Sequence, residues 1–377
     1  MPNTKIDAVE LTRQLIRFET VNPVNPEKDC VEYVGKLLAE NGFDISYHDF
    51  APGRTNLIAR IGGSETCPPI CFTGHLDTVP LGHSEWSMAP FDADIADGKL
   101  YGRGSSDMKS GVAAFVAAVI EIASDLAKGP GVVLLITAGE ETGCEGAAYI
   151  AGLGDVIGKA GAIVVAEPTS NYPYVGHKGA LWMKAVTDGV TAHGSMPELG
   201  VNAIYKASRA ITKLEDYDFN VARHPVMGPA TLNVGTVDGG INVNSVPNRA
   251  EIGIDVRTIP GQDNDVILKQ LASYLGDEVT LTPTVNLEPV WTSPEHPWMQ
   301  SVFEVVAPLH DDPIINKTAA YFTDASIFTR AYDFAPTVIL GPGEAAMAHQ
   351  TDEFCYVSRI EEAVGIYRTL AENWNNQ

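Results

Sequence analysis

Apolar residues recur along this chain in two rhythms, and the change between them divides it. From Asp29 to Gly42, Val31, Val34, Leu37 and Leu38 fall on one helical face, Asp29 is placed to cap the first turn, and Asn41-Gly42 supplies a stop. Short β-rich apolar runs then appear at Ile70–Thr73, Val132–Thr137 and Ala162–Val165, with a long apolar helical pattern over Asp107–Ala127 between the first two. Parallel strands need such crossover helices, so the pattern predicts an α/β domain: a mixed, mostly parallel sheet flanked by helices.

Between about Leu181 and Pro289 the rhythm differs. Strand Leu181–Val186, helix Val201–Leu214, strand Thr231–Val237, strand Ala250–Thr258, helix Asn264–Leu275 and strand Val279–Val285 follow one another, the β-α-β-β-α-β order of a ferredoxin-like α+β unit. Val201, Ile204, Ala207, Ile211 and Leu214 give the first helix one face to lay on a small sheet. The buried-strand pattern resumes at Thr337–Leu340 and leads to His349. The expectation is a discontinuous domain, residues 1–179 and 290–377, interrupted by an inserted domain over 180–289.

The whole-chain numbers narrow the function without naming it. A length of 377 residues and an average apolar fraction suit a large folded core, and a formal net charge of −23 opposes binding to nucleic acid or an anionic membrane. Met1–Asp7 has no apolar stretch long enough for a signal peptide and nothing later approaches a membrane span, so the expected location is the cytoplasm. Five cysteines, Cys30, Cys67, Cys71, Cys144 and Cys355, are an odd number in a large chain and read as free thiols rather than a disulfide framework.

Chemistry enters with a set of ionisable residues at strand ends and in glycine-rich turns. His75 and Asp77 close Thr73-Gly-His-Leu-Asp77, and Asp107, Glu140-Glu141, Glu167 and His349 follow in comparable places. Any one of them alone is an ordinary solvated side chain; together, beside buried strands, they call for a common partner, and a metal is one. His75, Asp107, Glu141, Glu167 and His349 offer two imidazoles and three carboxylates, enough for two divalent ions if Asp107 bridges. Asp77, two positions from His75, is expected to orient that imidazole. Of the adjacent pair, Glu141 is assigned as ligand and Glu140 as general base.

With these residues in view the chain resembles the di-zinc amidohydrolases and peptidases that include acetylornithine deacetylase, succinyl-diaminopimelate desuccinylase, aminoacylases and glutamate carboxypeptidases. The resemblance runs over nearly the whole length, through Gly74-His-Leu-Asp-Thr-Val-Pro80, Trp86 with Pro90-Phe91, Asp97 to Lys109, Glu140-Glu-Thr142, Glu167-Pro-Thr169, His193-Gly-Ser195, Gly200 to Ile204, and Gly341-Pro-Gly343 leading to His349. It implies that His75 and Glu167 hold one ion, Glu141 and His349 the other, and Asp107 both. It implies zinc, with cobalt or manganese able to take the same ligands.

The resemblance also implies a homodimer formed through the inserted domain, with His193 reaching the partner's active site to stabilise the tetrahedral oxyanion. Taken alone, His193 is a turn residue. Asn244 and Arg257 match positions that bind the substrate carboxylate, and the planar fork of Arg257 suits that task.

Gly176-His-Lys-Gly179, Leu232-Asn-Val-Gly235, Asp255 to Gly261 and Ala348 to Glu353 lean toward acetylornithine deacetylase, whereas Phe322-Thr-Asp-Ala-Ser326 departs toward aminoacylases. The expected activity is hydrolysis of the amide of an N-acyl amino acid, with desuccinylase, dipeptidase or carboxypeptidase activity as alternatives. A non-catalytic metal-dependent binding protein would have lost Glu140 or a ligand, and all are present.

Overall fold

The computed structural model describes residues 5–377, so the first four residues of the stretch read for a leader lie outside it. The chain forms two compact units. The first comprises the described residues up to Gly176 with Trp291–Ala319 and Thr323–Gln377, and the second His177–Val290 with Ala320–Phe322.

At the centre of the first unit four neighbouring strands run parallel, in the order Val132–Thr137, Ile70–His75, Ala162–Val165 and Thr337–Ile339. Every residue in them is buried, the reason their sequences are continuous apolar runs rather than alternating ones. Arg54–Ile61 pairs antiparallel at one side of this core, and Tyr174–His177 meets it antiparallel at the other. The sheet is therefore mixed with a parallel centre.

Helix Lys109–Glu121 is buried from Lys109 to Ile120, as a helix apolar on all sides must be. A Cβ on Gly111 would stand 2.2 Å from the Ala166 carbonyl oxygen, so glycine is what lets this helix reach the end of strand Ala162–Val165. The C-terminal helix Val357–Asn375 covers the same core, with Tyr367 edge-on to Phe72 at 5.6 Å and its hydroxyl donating to the Leu340 carbonyl at 2.6 Å.

Two local expectations are corrected. The first long helix is Lys28–Glu40, and Asp29 lies inside its first turn rather than capping it. The residue before it, Glu27, makes no cap because both its carboxylate oxygens are taken by Arg54. Asp107 likewise does not open a helix: the helix begins at Lys109, and the Asp107 N–H is held by Glu353 at 3.0 Å.

The second unit is a four-stranded antiparallel sheet in the order Thr231–Gly239, Arg249–Arg257, Ala180–Asp188, Thr280–Leu287. Ala250, Ile252, Ile254 and Val256 alternate onto one face, where residues of helices Ala203–Glu215 and Asn264–Leu275 pack in one cluster with them. Asn202 and Asp263 accept from Tyr205 N and Val266 N to cap those helices. This is the ferredoxin-like arrangement.

Parallel pairing has one consequence for function. His75, the turn after Thr137, the turn after Val165 and the loop after Ile339 all leave the sheet at the same edge, the carboxyl ends of its strands.

Candidate metal centre

At that edge the sequence-distant acids and imidazoles meet. His75 Nδ1 lies 2.9 Å from the Asp77 carbonyl oxygen, which only accepts, so Nδ1 carries a hydrogen and Nε2 is the nitrogen turned toward other partners. That buried Nε2 has no hydrogen-bond partner and faces three carboxylates, Asp107 Oδ1 at 3.4 Å, Glu167 Oε1 at 3.8 Å and Glu140 Oε2 at 3.9 Å. His349 Nε2 stands 3.1 Å from Glu141 Oε2 and 3.4 Å from Asp107 Oδ2. Asp107 thus turns one oxygen to each imidazole.

The role expected of Asp77 is corrected in one respect. The hydrogen bond to His75 comes from its backbone, while its carboxylate stands 3.5 Å from the imidazole and accepts instead from Glu140 N at 3.2 Å, Glu141 N at 3.1 Å and the side chain of Asn22. One residue therefore ties the His75 strand to the turn bearing the acidic pair.

Electrostatics follow from crowding acids into a buried space. Burial, reinforced by neighbouring carboxylates, pushes Glu140 and Glu167 well above the usual carboxyl range. Burial and then Asp107 raise Glu141 to about 7 despite His349. Burial alone would lower His75, but Asp107 and Asp77 outweigh it and the net shift is upward. Hydrogen bonds to Asp107 and Glu141 raise His349 to about 10. Asp107, although burial raises it, is driven down by the two histidines. So much opposed desolvation in one place is what a cation-binding site looks like before its cation is counted.

Other residues belong to this centre that the sequence reading did not single out. Glu353 is buried and accepts from Gly104 N, Ser106 N, Asp107 N and Arg103 Nη1, fixing the loop that bears Asp107. Asp324 is buried against Thr137, and burial raises it to about 6. The Cys144 thiol lies 3.8 Å from Glu140 Oε1. Glu353 and Asp324 both sit in quoted motifs, but a motif does not reveal that a carboxylate faces inward.

The remaining candidates lie in the second unit. His193 pairs with Ser245, its Nδ1 is 2.8 Å from Ser195 Oγ, and Gly194 N donates to the Asn244 carbonyl at 2.7 Å. Arg257 ends strand Arg249–Arg257, its Nε 2.9 Å from Asp255 Oδ1 and its guanidinium 5.9 Å from the Trp182 ring. Gly189 N donates to the Asn248 carbonyl and Val246 N to the Ala192 carbonyl, so His193 and Asn244 lie on the continuation of the sheet past Arg249, at the other end of that strand from Arg257. Within one chain the fold brings His193 and Asn244 together.

The donors suit divalent ions. His75, Asp107 and Glu141 offer ligand atoms all within 4.8 Å of one another, as do His75, Glu140 and Glu167. His75 Nε2 and Glu141 Oε1, both without a hydrogen-bond partner, are two of these donors, and an imidazole-carboxylate set fits zinc, cobalt or manganese. Among the described residues no helix is long and apolar enough to cross a membrane.

The protein named "Probable succinyl-diaminopimelate desuccinylase" of Staphylococcus epidermidis is 32% identical over 97% of this chain and 98% of its own. The succinyl-diaminopimelate desuccinylase of Wolbachia pipientis wMel is 30% identical over 99% of this chain and 94% of its own. Among solved structures, an M20 family metallo-carboxypeptidase from Sulfolobus solfataricus superposes with a TM-score of 0.82 at 19% identity, covering 99% of this chain and 100% of the other. A dinuclear metal-binding M20 peptidase from Bacillus subtilis gives 0.72 at 16% identity, covering 98% of each, and these two likenesses speak to the fold. A profile of peptidase family M20/M25/M40 matches residues 71–373, and the chain belongs to that family of metal-dependent hydrolases acting on amide bonds.

Proposed function

We propose that this protein hydrolyses the amide of an N-acyl amino acid, with two zinc ions held by His75, Asp107, Glu141, Glu167 and His349. The observation that carries the reading is Asp107, which offers one oxygen to the His75 side and the other to the His349 side. His75 and Glu167 would hold one ion, Glu141 and His349 the other, with Asp107 shared. Bound there, the ions would acidify water and polarise the substrate carbonyl.

The chain's own residues supply the rest. Glu140, buried and raised in pKa, takes the proton of the attacking water and returns it to the leaving nitrogen. Asp77 holds the turn from which Glu140 projects. Arg257, gripped by Asp255, binds the carboxylate of the amino acid.

The acyl group is the finer question. The sequence leans to an acetyl group, but the two relatives compared above are both named as succinyl-diaminopimelate desuccinylases. Their identity over nearly the whole chain favours an N-succinyl substrate.

A homodimer through the second unit is part of the proposal. Its edge strand Thr231–Gly239 is open to pairing, and Leu199, Tyr205, Val237, Ile241 and Val243 stand exposed. His193, on the continuation of the sheet past Arg249, is assigned the trans role at the partner's site.

The test is amide hydrolysis by metal-stripped and zinc-reconstituted protein on N-succinyl-diaminopimelate, N-acetylornithine, other N-acetyl amino acids and dipeptides, with gel filtration alongside. Zinc-dependent release of amine from the succinyl substrate is expected from a dimer. Release only from dipeptides would replace the acyl reading, and a fully active monomer would remove the trans role.

A further inference from the structure

Behind Asp77 stands a second row of buried polar groups. Asn22 Nδ2 donates to Asp77 Oδ2, Arg54 Nη2 donates to Asn22 Oδ1 at 2.6 Å, and Arg54 Nε lies 2.9 and 2.8 Å from the two carboxylate oxygens of Glu27. Asn22 is 3% exposed and Glu27 is fully buried. The segment is fastened to the strand exit by Asn22 N to Thr78 O at 2.8 Å, Thr78 N to Thr20 O at 2.9 Å and Thr20 Oγ1 to Leu76 O at 2.5 Å. A Cβ added to Gly139 would lie 3.0 Å from Arg54 Nη2, so the guanidinium sits directly against the residue that precedes Glu140.

We propose that Asn22 and Arg54 are positioning residues for the hydrolytic site, setting the Glu140-Glu141 turn through Asp77. An arginine only donates, so it claims the Asn22 oxygen and leaves the amide nitrogen facing Asp77. Asp77 Oδ2 must then be an acceptor, and the carboxylate is fixed in the orientation that also receives Glu140 N and Glu141 N. Both Glu27 oxygens hold Arg54 Nε from behind while Nη2 faces Asn22, so the row conveys orientation to Asp77. The inference rests on the reading of Glu140 as base and Glu141 as ligand.

The experiment compares wild type with Asn22→Ala, Arg54→Lys and Arg54→Ala on three quantities. They are amide hydrogen exchange over residues 138–146 in metal-free protein, zinc affinity by competition with a chromogenic chelator, and kcat and KM. Asn22→Ala should speed exchange at residues 140 and 141 selectively, weaken zinc about 10- to 100-fold and lower kcat with KM nearly unchanged. Added guanidinium should restore Arg54→Ala saturably, which a loss of packing alone does not allow. If Asn22→Ala does not fold, Arg54→Lys, which keeps the charge but loses the fork, reads the same quantities.

Exchange and zinc affinity equal to wild type, or exchange raised evenly through the first unit, would overturn the proposal. A wild-type protein that binds zinc but cleaves no amide would instead undo the functional reading, leaving the exchange and affinity results to judge Asn22 and Arg54 separately.

Discussion

Arg103 donates to Glu353 at 2.7 Å with both side chains out of solvent. The same carboxylate accepts three backbone N–H groups of residues 104–107, so it fixes the loop bearing Asp107 to the loop following His349. Removing one partner of a buried pair leaves the other charged and unmatched. Glu353→Ala should therefore cost about 3–5 kcal/mol in urea unfolding of the metal-free protein. A loss below about 1 kcal/mol, the range of exposed pairs, would show that water replaces the carboxylate.

Glu140→Gln removes the proton acceptor while keeping shape and the backbone bond to Asp77. It should retain zinc yet lose about 10²- to 10⁴-fold in kcat, the usual worth of a general base. Isothermal titration with zinc beside steady-state kinetics checks both halves. Near-native turnover would assign the base elsewhere.

How far the centre could be read in advance depended on what kind of statement each residue makes. The four buried strands are legible as apolar runs, and parallel pairing then carries His75, Glu140-Glu141, Glu167 and His349 to one edge. Asp77 illustrates what is not legible. Spacing places it beside His75, but that its carbonyl binds the imidazole while its carboxylate binds the next turn depends on backbone direction, which no two-residue spacing specifies. Glu27 shows the same limit. Nothing in the local sequence marks it, and only the fold brings Arg54 from 27 residues away to occupy it.

Gly194 is held by its neighbour rather than by its own backbone. A Cβ there would stand 2.9 Å from the Asn244 carbonyl carbon and oxygen, backbone atoms that cannot swing aside. Gly194→Ala should lower stability by about 1–3 kcal/mol and displace Asn244. Thermal unfolding measures the first effect, and a matching drop in turnover would tie Asn244 to the reaction. Unchanged stability would mean the loop yields freely.

Arg257→Lys keeps a positive charge but loses the planar fork that Asp255 holds in place. KM for the N-acyl amino acid should rise about 10-fold or more, with kcat within a few-fold, the loss expected for a charged hydrogen bond of about 1.5–3 kcal/mol. Repeating the kinetics with the substrate's carboxamide isolates the contact. Wild type should discriminate against the carboxamide and the variant should not; equal discrimination by both would free Arg257 from the carboxylate.

His177 gives the fold its own acid sensitivity. Burial, and then the charge of Arg257, lower its pKa to about 4, although the Lys178 carbonyl 2.7 Å from Nδ1 opposes the shift. An unfolded histidine titrates near 6.5, so between those values the unfolded chain binds more protons and stability must rise with pH. The contribution is fully present above about pH 6.5 and is lost as pH falls toward 4, amounting to about 3 kcal/mol at ~1.4 kcal/mol per pKa unit. His177→Asn keeps a donor for the Lys178 carbonyl but does not titrate. Urea unfolding of metal-free wild type and variant from about pH 4 to 7 should show their stability difference shifting by about that amount in favour of the variant as pH drops, because other acids titrate equally in both. Parallel curves would mean that His177 can take up a proton in place, with water or a neighbouring group moving in to receive it.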